Sequence, residues 1–403
     1  MPTATTFLQL PPSLSLAQSP VVFSVTNQAF QSSSFYYTCQ LSIWSGSEAN
    51  SGSSTQYALR KFPNSSGAGI FDVGRFLNAK LNDLAWEVSS SVLNFSCSFN
   101  YNFTSGSVQS GSVSTGSVTS GIYNAIDGYG VFPEPINQFP SASTIYWPMM
   151  TSGPVSQSVT KDDKGWISVY KRQSGQLGAQ YTGSYADGTT STTLFTQLFV
   201  GSITGSTFGY IGRIPAAPSQ SGFPLPITSS GGAELTSYKI NTKDVFLVPT
   251  QSSQINYKID CPFYYEPVRI VWKNRYGQFD FFNFYKKHIE TFQTTQRTYQ
   301  PQLGTWDSTT LSYNEYQTAI QRYIVDSNET LTVNSDYISQ AYNDIFKQLL
   351  VTDEVYWYYD QKANLVKPLT IKSNDILFKT GVNDKLVNYT FTFDVGQPFK
   401  LII

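Results

Sequence analysis

Few residues in this chain have the type and spacing to do chemistry. There is one histidine, His288, in the polar run Lys286-Lys287-His288. Without a second histidine or a nearby cysteine it cannot found a histidine-based metal site. Serine is plentiful, yet no G-x-S-x-G elbow occurs. A Ser–His–Asp triad would have to use His288, whose neighbours mark a solvated strand end. The glycine-rich run 201–209, GSITGSTFG, lacks the G-K-[ST] ending of a phosphate loop and reads as paired β-turns. Asp162 and Asp163 adjoin, but Lys161 and Lys164 oppose cation binding, and a calcium loop needs more oxygens spaced along it. A charged hairpin turn is the better reading. Paired carboxylates can hydrolyse glycosides, but no motif selects a pair from the 27 acidic residues.

What is left is aromatic. Tyr356, Trp357 and Tyr358 lie in the run Tyr356-Trp357-Tyr358-Tyr359, and Trp306 stands apart from it. These rings could stack on sugars or anchor a protein interface. The plainer alternative is a strand with aromatics on both faces, one under a helix and one at an interface. Cys39, Cys97 and Cys261 are too few for a cystine framework. Cys39 and Cys97 fall in alternating runs and read as buried free thiols. No catalytic residue, metal ligand or cofactor is expected.

The composition agrees with that reading. Charged residues are 13% of the 403, about half the roughly 25% usual for soluble proteins. Lys plus Arg (26) nearly balance Asp plus Glu (27), for a net charge of −1. Nucleic-acid binders and polybasic membrane adherents need a sizeable field of one sign, so neither is expected. The first twenty residues have no basic n-region and carry Pro11 and Pro12, which does not read as a signal peptide. No apolar run is long enough to cross a membrane. Aromatics at 15% supply a core. Ser, Thr, Asn and Gln must therefore supply the polar surface, which suits strands and flat association faces. A charge-poor, nearly neutral surface is unsuited to a free, concentrated monomer.

Period-two alternation dominates the elements that would position these residues. It runs through Val21, Phe23 and Val25, then Tyr37, Cys39, Leu41 and Ile43, then Leu93, Phe95, Cys97, Phe99, Tyr101 and Phe103. Each run predicts a strand with one buried face. Between them, Ile70, Val73, Leu77 and Leu81 predict a short helix over 68–81, with Gly74 against it. The Gly-Ser-Val repeats of 106–121 read as a protruding loop. Strands are expected at 166–170, 193–200 and 244–248, separated by proline-punctuated loops. A hairpin is expected over 267–285 around Asn274-Arg275-Tyr276-Gly277. Ile338, Ala341, Tyr342, Ile345, Phe346, Leu349 and Leu350 predict one well-defined helix at about 335–350, capped by Asn334 or Ser335. It should pack on strands at 354–359, 368–372 and 386–394. The expected fold is mainly β, with β-sandwich-type modules, short amphipathic helices and a C-terminal α+β module. Module boundaries fall at 1–120, 121–260 and 261–403.

Several segments resemble a family. IFDVGRFL at 70–77 is similar to an FDVSRIL-like segment of phage virion proteins, with Gly74 replacing a small polar residue. PVRIVWKNRYGQFDFFNF at 267–284 resembles the same group, as do TDEVY at 352–356, PLTIKS at 368–373 and NYT at 388–390. The group comprises tail- and neck-associated structural proteins of crAss-like and related marine or Bacteroidetes phages. The resemblance implies a non-enzymatic virion component, located in the virion and partnered by itself, as a symmetric ring, and by other virion proteins. It covers both ends of the chain and brings no catalytic residue with it. The alternative reading is a receptor-binding adhesin for host-surface glycans, and a third is a glycan-degrading enzyme.

Overall fold

The computed structural model describes residues 5–27, 35–45, 54–81, 92–102, 117–130, 149–171, 176–198, 210–244, 254–260, 265–307, 310–312, 315–373, 376 and 386–396. The chain is mainly β. It divides into two compact units. One comprises Met1–Cys261 with Lys273–Asp280, and the other Pro262–Trp272 with Phe281–Ile403. The Gly-Ser-Val repeats at 106–116, the run 201–209, Cys261 and most of the strand expected at 244–248 lie outside the described residues.

In the first unit the alternating runs make a sandwich. Strands Thr6–Gln9, Val22–Thr26 and Ala68–Asp72 form one sheet. The other is ordered Leu14–Leu16, Tyr123–Ile126, Leu93–Asn102, Tyr36–Ser45, Thr55–Lys61. Phe23, Val25 and Phe71 of the first face Tyr37, Leu41, Phe95 and Phe99 of the second across one core. Cys39 and Cys97 are in that core as free thiols. Burial and the neighbouring Cys39 push the Cys97 thiol well above its ordinary range, as expected of a small inert hydrophobe.

A second core lies in the same unit. A five-stranded sheet runs Ser156–Val159, Gln254–Ile259, Leu235–Asp244, Gln176–Tyr185, Thr190–Leu198. The antiparallel pair Trp166–Lys171 and Tyr210–Pro215 shares its core through Ile167, Val169 and Ile214, packed with Tyr181, Tyr238 and Ile240.

The helix expected over 68–81 is not one element. Ala68–Asp72 is a strand paired with Val22–Thr26, and only Gly74–Asn78 is helical. Strand alternation governs the first part, with Phe71 inside and Ile70 exposed. At Gly74 a Cβ would lie 2.6 Å from the Ser19 carbonyl oxygen, so the chain can turn there only without a side chain.

The second unit holds a seven-stranded sheet. Its order is Phe279–Phe284, Val268–Lys273, Val355–Asp360, Leu365–Ile371, Thr390–Val395, Gln321–Asn334, Ile289–Tyr299. Helix Asn343–Val351, preceded by a single 3-10 turn at Gln340–Tyr342, buries Ile345, Phe346 and Leu349. The Phe346 ring meets Phe282 at 5.1 Å and Phe391 at 5.0 Å between centroids. The helix thus begins later than the apolar spacing predicts, and neither Asn334 nor Ser335 caps it. Ser335 instead exchanges hydrogen bonds with Tyr389: its N–H donates to the Tyr389 carbonyl, and its hydroxyl accepts the Tyr389 N–H. Asp336 adopts a φ of 61°, a left-handed conformation that no helix start can use. Ser339 caps the 3-10 turn, its hydroxyl accepting the Ala341 N–H.

Candidate functional site

The aromatic run lies on strand Val355–Asp360, where alternation sends its rings to opposite faces. Trp357 is 9% exposed and joins the helix-covered core. Tyr358 is buried on the other face, its hydroxyl bonded to Asn364. Tyr356 is half-buried, and its hydroxyl donates to Glu354 Oε2 at 3.1 Å. Tyr359, at 43% exposure, is the most open of the four. The Lys367 ammonium stands 5.1 Å from the Trp357 ring and 5.2 Å from the Tyr359 ring. Trp306 is in the short strand Thr305–Asp307, and its side chain lies outside the described residues. The structure therefore brings Trp357 and Tyr359 together under one lysine and turns Tyr356 and Tyr358 away.

His288 makes a 3.5 Å contact with Glu290, and no group of metal-ligating residues occurs among the described residues. Asp163 is fully buried in its turn, where its carboxylate accepts the Thr160 N–H.

Sequence reasoning missed a buried polar network in the first unit, around the turn it had identified at 274–277. Lys273 Nζ pairs with Asp127 Oδ2 at 2.7 Å, the two side chains being 5% and 10% exposed. The other Asp127 oxygen accepts from Gln18 Nε2 at 2.7 Å. Asn274 Nδ2 donates to the Met150 carbonyl, while its Oδ1 accepts the N–H groups of Tyr276 and Gln278. Gly277, with φ 67°, approaches so closely that a Cβ would lie 2.6 Å from the Asp127 carbonyl oxygen. Asp280 accepts from the Thr151 hydroxyl at 2.6 Å and the Ser152 N–H at 3.0 Å. Burial raises its pKa, opposed in part by those two bonds. These bonds tie the turn at 274–277 to segments far away in the chain and lock it in place.

The features that face outward are strand edges. Thr190–Leu198 ends the five-stranded sheet, and Ile289–Tyr299 ends the seven-stranded one. The latter pairs with Gln321–Asn334 from Ile289↔Thr332 to Tyr299↔Gln321, with an irregularity after Arg297. Strand Thr390–Val395 supports only Thr330–Asn334. From Phe292 to Tyr299 the structure is thus a two-stranded ribbon, about 25 Å long at ~3.3 Å per residue. All residues of Ile289–Tyr299 are exposed. Tyr299, Ile320, Tyr323 and Ile324 put apolar surface along it. An isolated two-stranded ribbon is only marginally stable in water, so this one has most to gain from a partner.

No family model matches the chain, and no curated protein matches it. Among solved structures, squid arrestin is similar over 63% of this chain and 93% of its own, at 8% identity and a TM-score of 0.18. CBD12 from CALX1.2 is similar over 64% of this chain and 99% of its own, at 10% identity and a TM-score of 0.19. Similarity at that level carries no argument about this chain, and its β-sandwich character rests on the sheets and cores described above.

Proposed function

We propose that this chain is a non-enzymatic structural subunit of a bacteriophage virion, assembled by β-rich contacts into a symmetric ring, collar, baseplate or spike of the tail. The observation that carries this reading is the exposed two-stranded ribbon ending the seven-stranded sheet, on a chain with few charged residues and a net charge of −1. Such edges are hazards in a free monomer and assets in an assembled one. The similarity of 70–77, 267–284, 352–356, 368–373 and 388–390 to phage virion segments supplies the virion context. Its partners on this reading are further copies of itself and other virion proteins. Mass spectrometry of purified particles tests the reading: the chain is expected as a stoichiometric virion protein. Its absence from particles, together with a monomeric state at micromolar concentration, overturns it.

A second reading, an adhesin for host-surface glycans, is favoured by the exposed Tyr359 beside Trp357 and Lys367. A glycan array decides it: reproducible binding that Tyr359→Ala abolishes supports the adhesin, and an empty array retires it.

A further inference from the structure

We infer that the subunits join head to tail by strand addition, the edge Gln293–Tyr299 of one copy pairing with the edge Thr190–Leu198 of the next. The inference deepens the structural reading above by naming the seam and the occupant. Proteins guard sheet edges by keeping them short, charging them or covering them. Among the described residues, the other sheet-ending strands run seven residues or fewer. Of these, Thr55–Lys61 carries Arg60 and Lys61 at its end, with the Arg60 guanidinium 3.6 Å above the Tyr36 ring. Phe279–Phe284 is almost wholly buried. Thr190–Leu198 lacks these guards, and Ile289–Tyr299 is both long and uncovered. Thr190–Leu198 has nine residues and no charge or proline. Ile289–Tyr299 has eleven, with Glu290 and Arg297 its only charges.

The occupant follows from the chemistry of both edges. Thr190–Leu198 presents Thr192 and Thr196 around Leu194, and Gln293–Tyr299 presents threonine and glutamine ahead of Tyr299. The uncharged edge Thr190–Leu198 selects no acidic or basic partner, and Arg297, the one charge on Gln293–Tyr299, meets no cation there. At −1 the copies hardly repel one another. The seven residues of Gln293–Tyr299 make a seam about 23 Å long at ~3.3 Å per residue. Because the two edges differ, the contact is heterologous, the type that builds a ring when its rotation closes and a filament when it does not.

The test uses two full-length variants. Thr192→Lys with Leu194→Lys blocks one edge, and Thr294→Lys with Gln296→Lys blocks the other. The mass of each is measured by light scattering behind size exclusion, after circular dichroism and melting confirm the fold. Glutamate at the same positions replaces any lysine variant that melts early. The wild type is expected to be oligomeric and each variant monomeric. An equimolar mixture should form a 1:1 dimer and nothing larger, since each variant retains the edge the other lacks. A monomeric wild type, either variant keeping the wild-type mass, or a dimer formed by one variant alone overturns the inference. Oligomeric variants found alongside wild-type chain in purified particles would remove this seam and leave the virion reading standing. Absence of the wild-type chain from particles would remove that reading while the mixing result still judges the seam.

Discussion

Removing Lys273 should unlock the turn at 274–277 at a cost that can be worked from the structure. At 2.7 Å from Asp127 the pair attracts by about 6 kcal/mol with an effective dielectric constant near 20. Taking both ions out of water costs several kcal/mol each, so the intact pair contributes little net stability. Removing one partner is different, because the attraction is lost while the carboxylate stays buried. Lys273→Met should therefore destabilise the first unit by about 3–5 kcal/mol. Hydrogen exchange with mass spectrometry suits the measurement, since it reads opening free energies locally and does not need a two-state chain. Peptides covering 117–130 and 273–280 should lose that amount of protection. The companion double variant, Lys273→Met with Asp127→Leu, removes both charges and should recover most of it. A loss below about 1 kcal/mol for Lys273→Met would contradict the buried-pair reasoning. So would a double variant no better than the single one.

Asp280 should give a pH signature in the same unit. Its folded pKa is raised by burial above the ordinary 3.8, so the folded state holds a proton that the unfolded state releases. That contribution is fully present below 3.8 and lost as the pH rises through the raised value. Urea titrations from pH 4 to 7 should show a smaller fall in stability for Asp280→Asn than for the wild type, and identical slopes would sink the argument. Gly74→Ala forces a methyl group against the Ser19 and Ala17 carbonyl oxygens and should cost about 1–3 kcal/mol, measurable by equilibrium denaturation. Truncating Phe346→Ala leaves a void among Phe282, Phe284 and Phe391 and should cost about 3–5 kcal/mol; a value under 1 would mean that the helix is not anchored there.

How legible each part was depended on whether local pattern and tertiary context agreed. Leu93–Asn102 and Tyr36–Ser45 were readable because six or four alternating apolar residues admit one period, and the structure gives both as ten-residue strands. The 68–81 segment misled because Ile70, Val73 and Leu77 fit helical spacing, while pairing with Val22–Thr26 made the first part extended. The helix start misled for a related reason. Asn334 and Ser335 are good caps in isolation, but strand Gln321–Asn334 runs through the first and Tyr389 engages the second. The ribbon was unreadable because threonine and glutamine leave no periodic apolar signal when neither face is buried. Its one local cue was a long stretch of β-compatible residues without proline or glycine.

The sequence by itself determined that the chain is mainly β and that its surface has to draw on Ser, Thr, Asn and Gln, since only 13% of its residues are charged. Those properties follow from residue type and from side-chain alternation, which need no knowledge of distant neighbours. Only the tertiary structure decided that Lys273 meets Asp127, that Trp357 is core and Tyr359 surface, and that Thr190–Leu198 and Ile289–Tyr299 end their sheets. Pairing order and burial depend on residues far apart in the chain. An edge strand and a central strand can share the same local pattern, and they differ only in whether a neighbour lies beyond them.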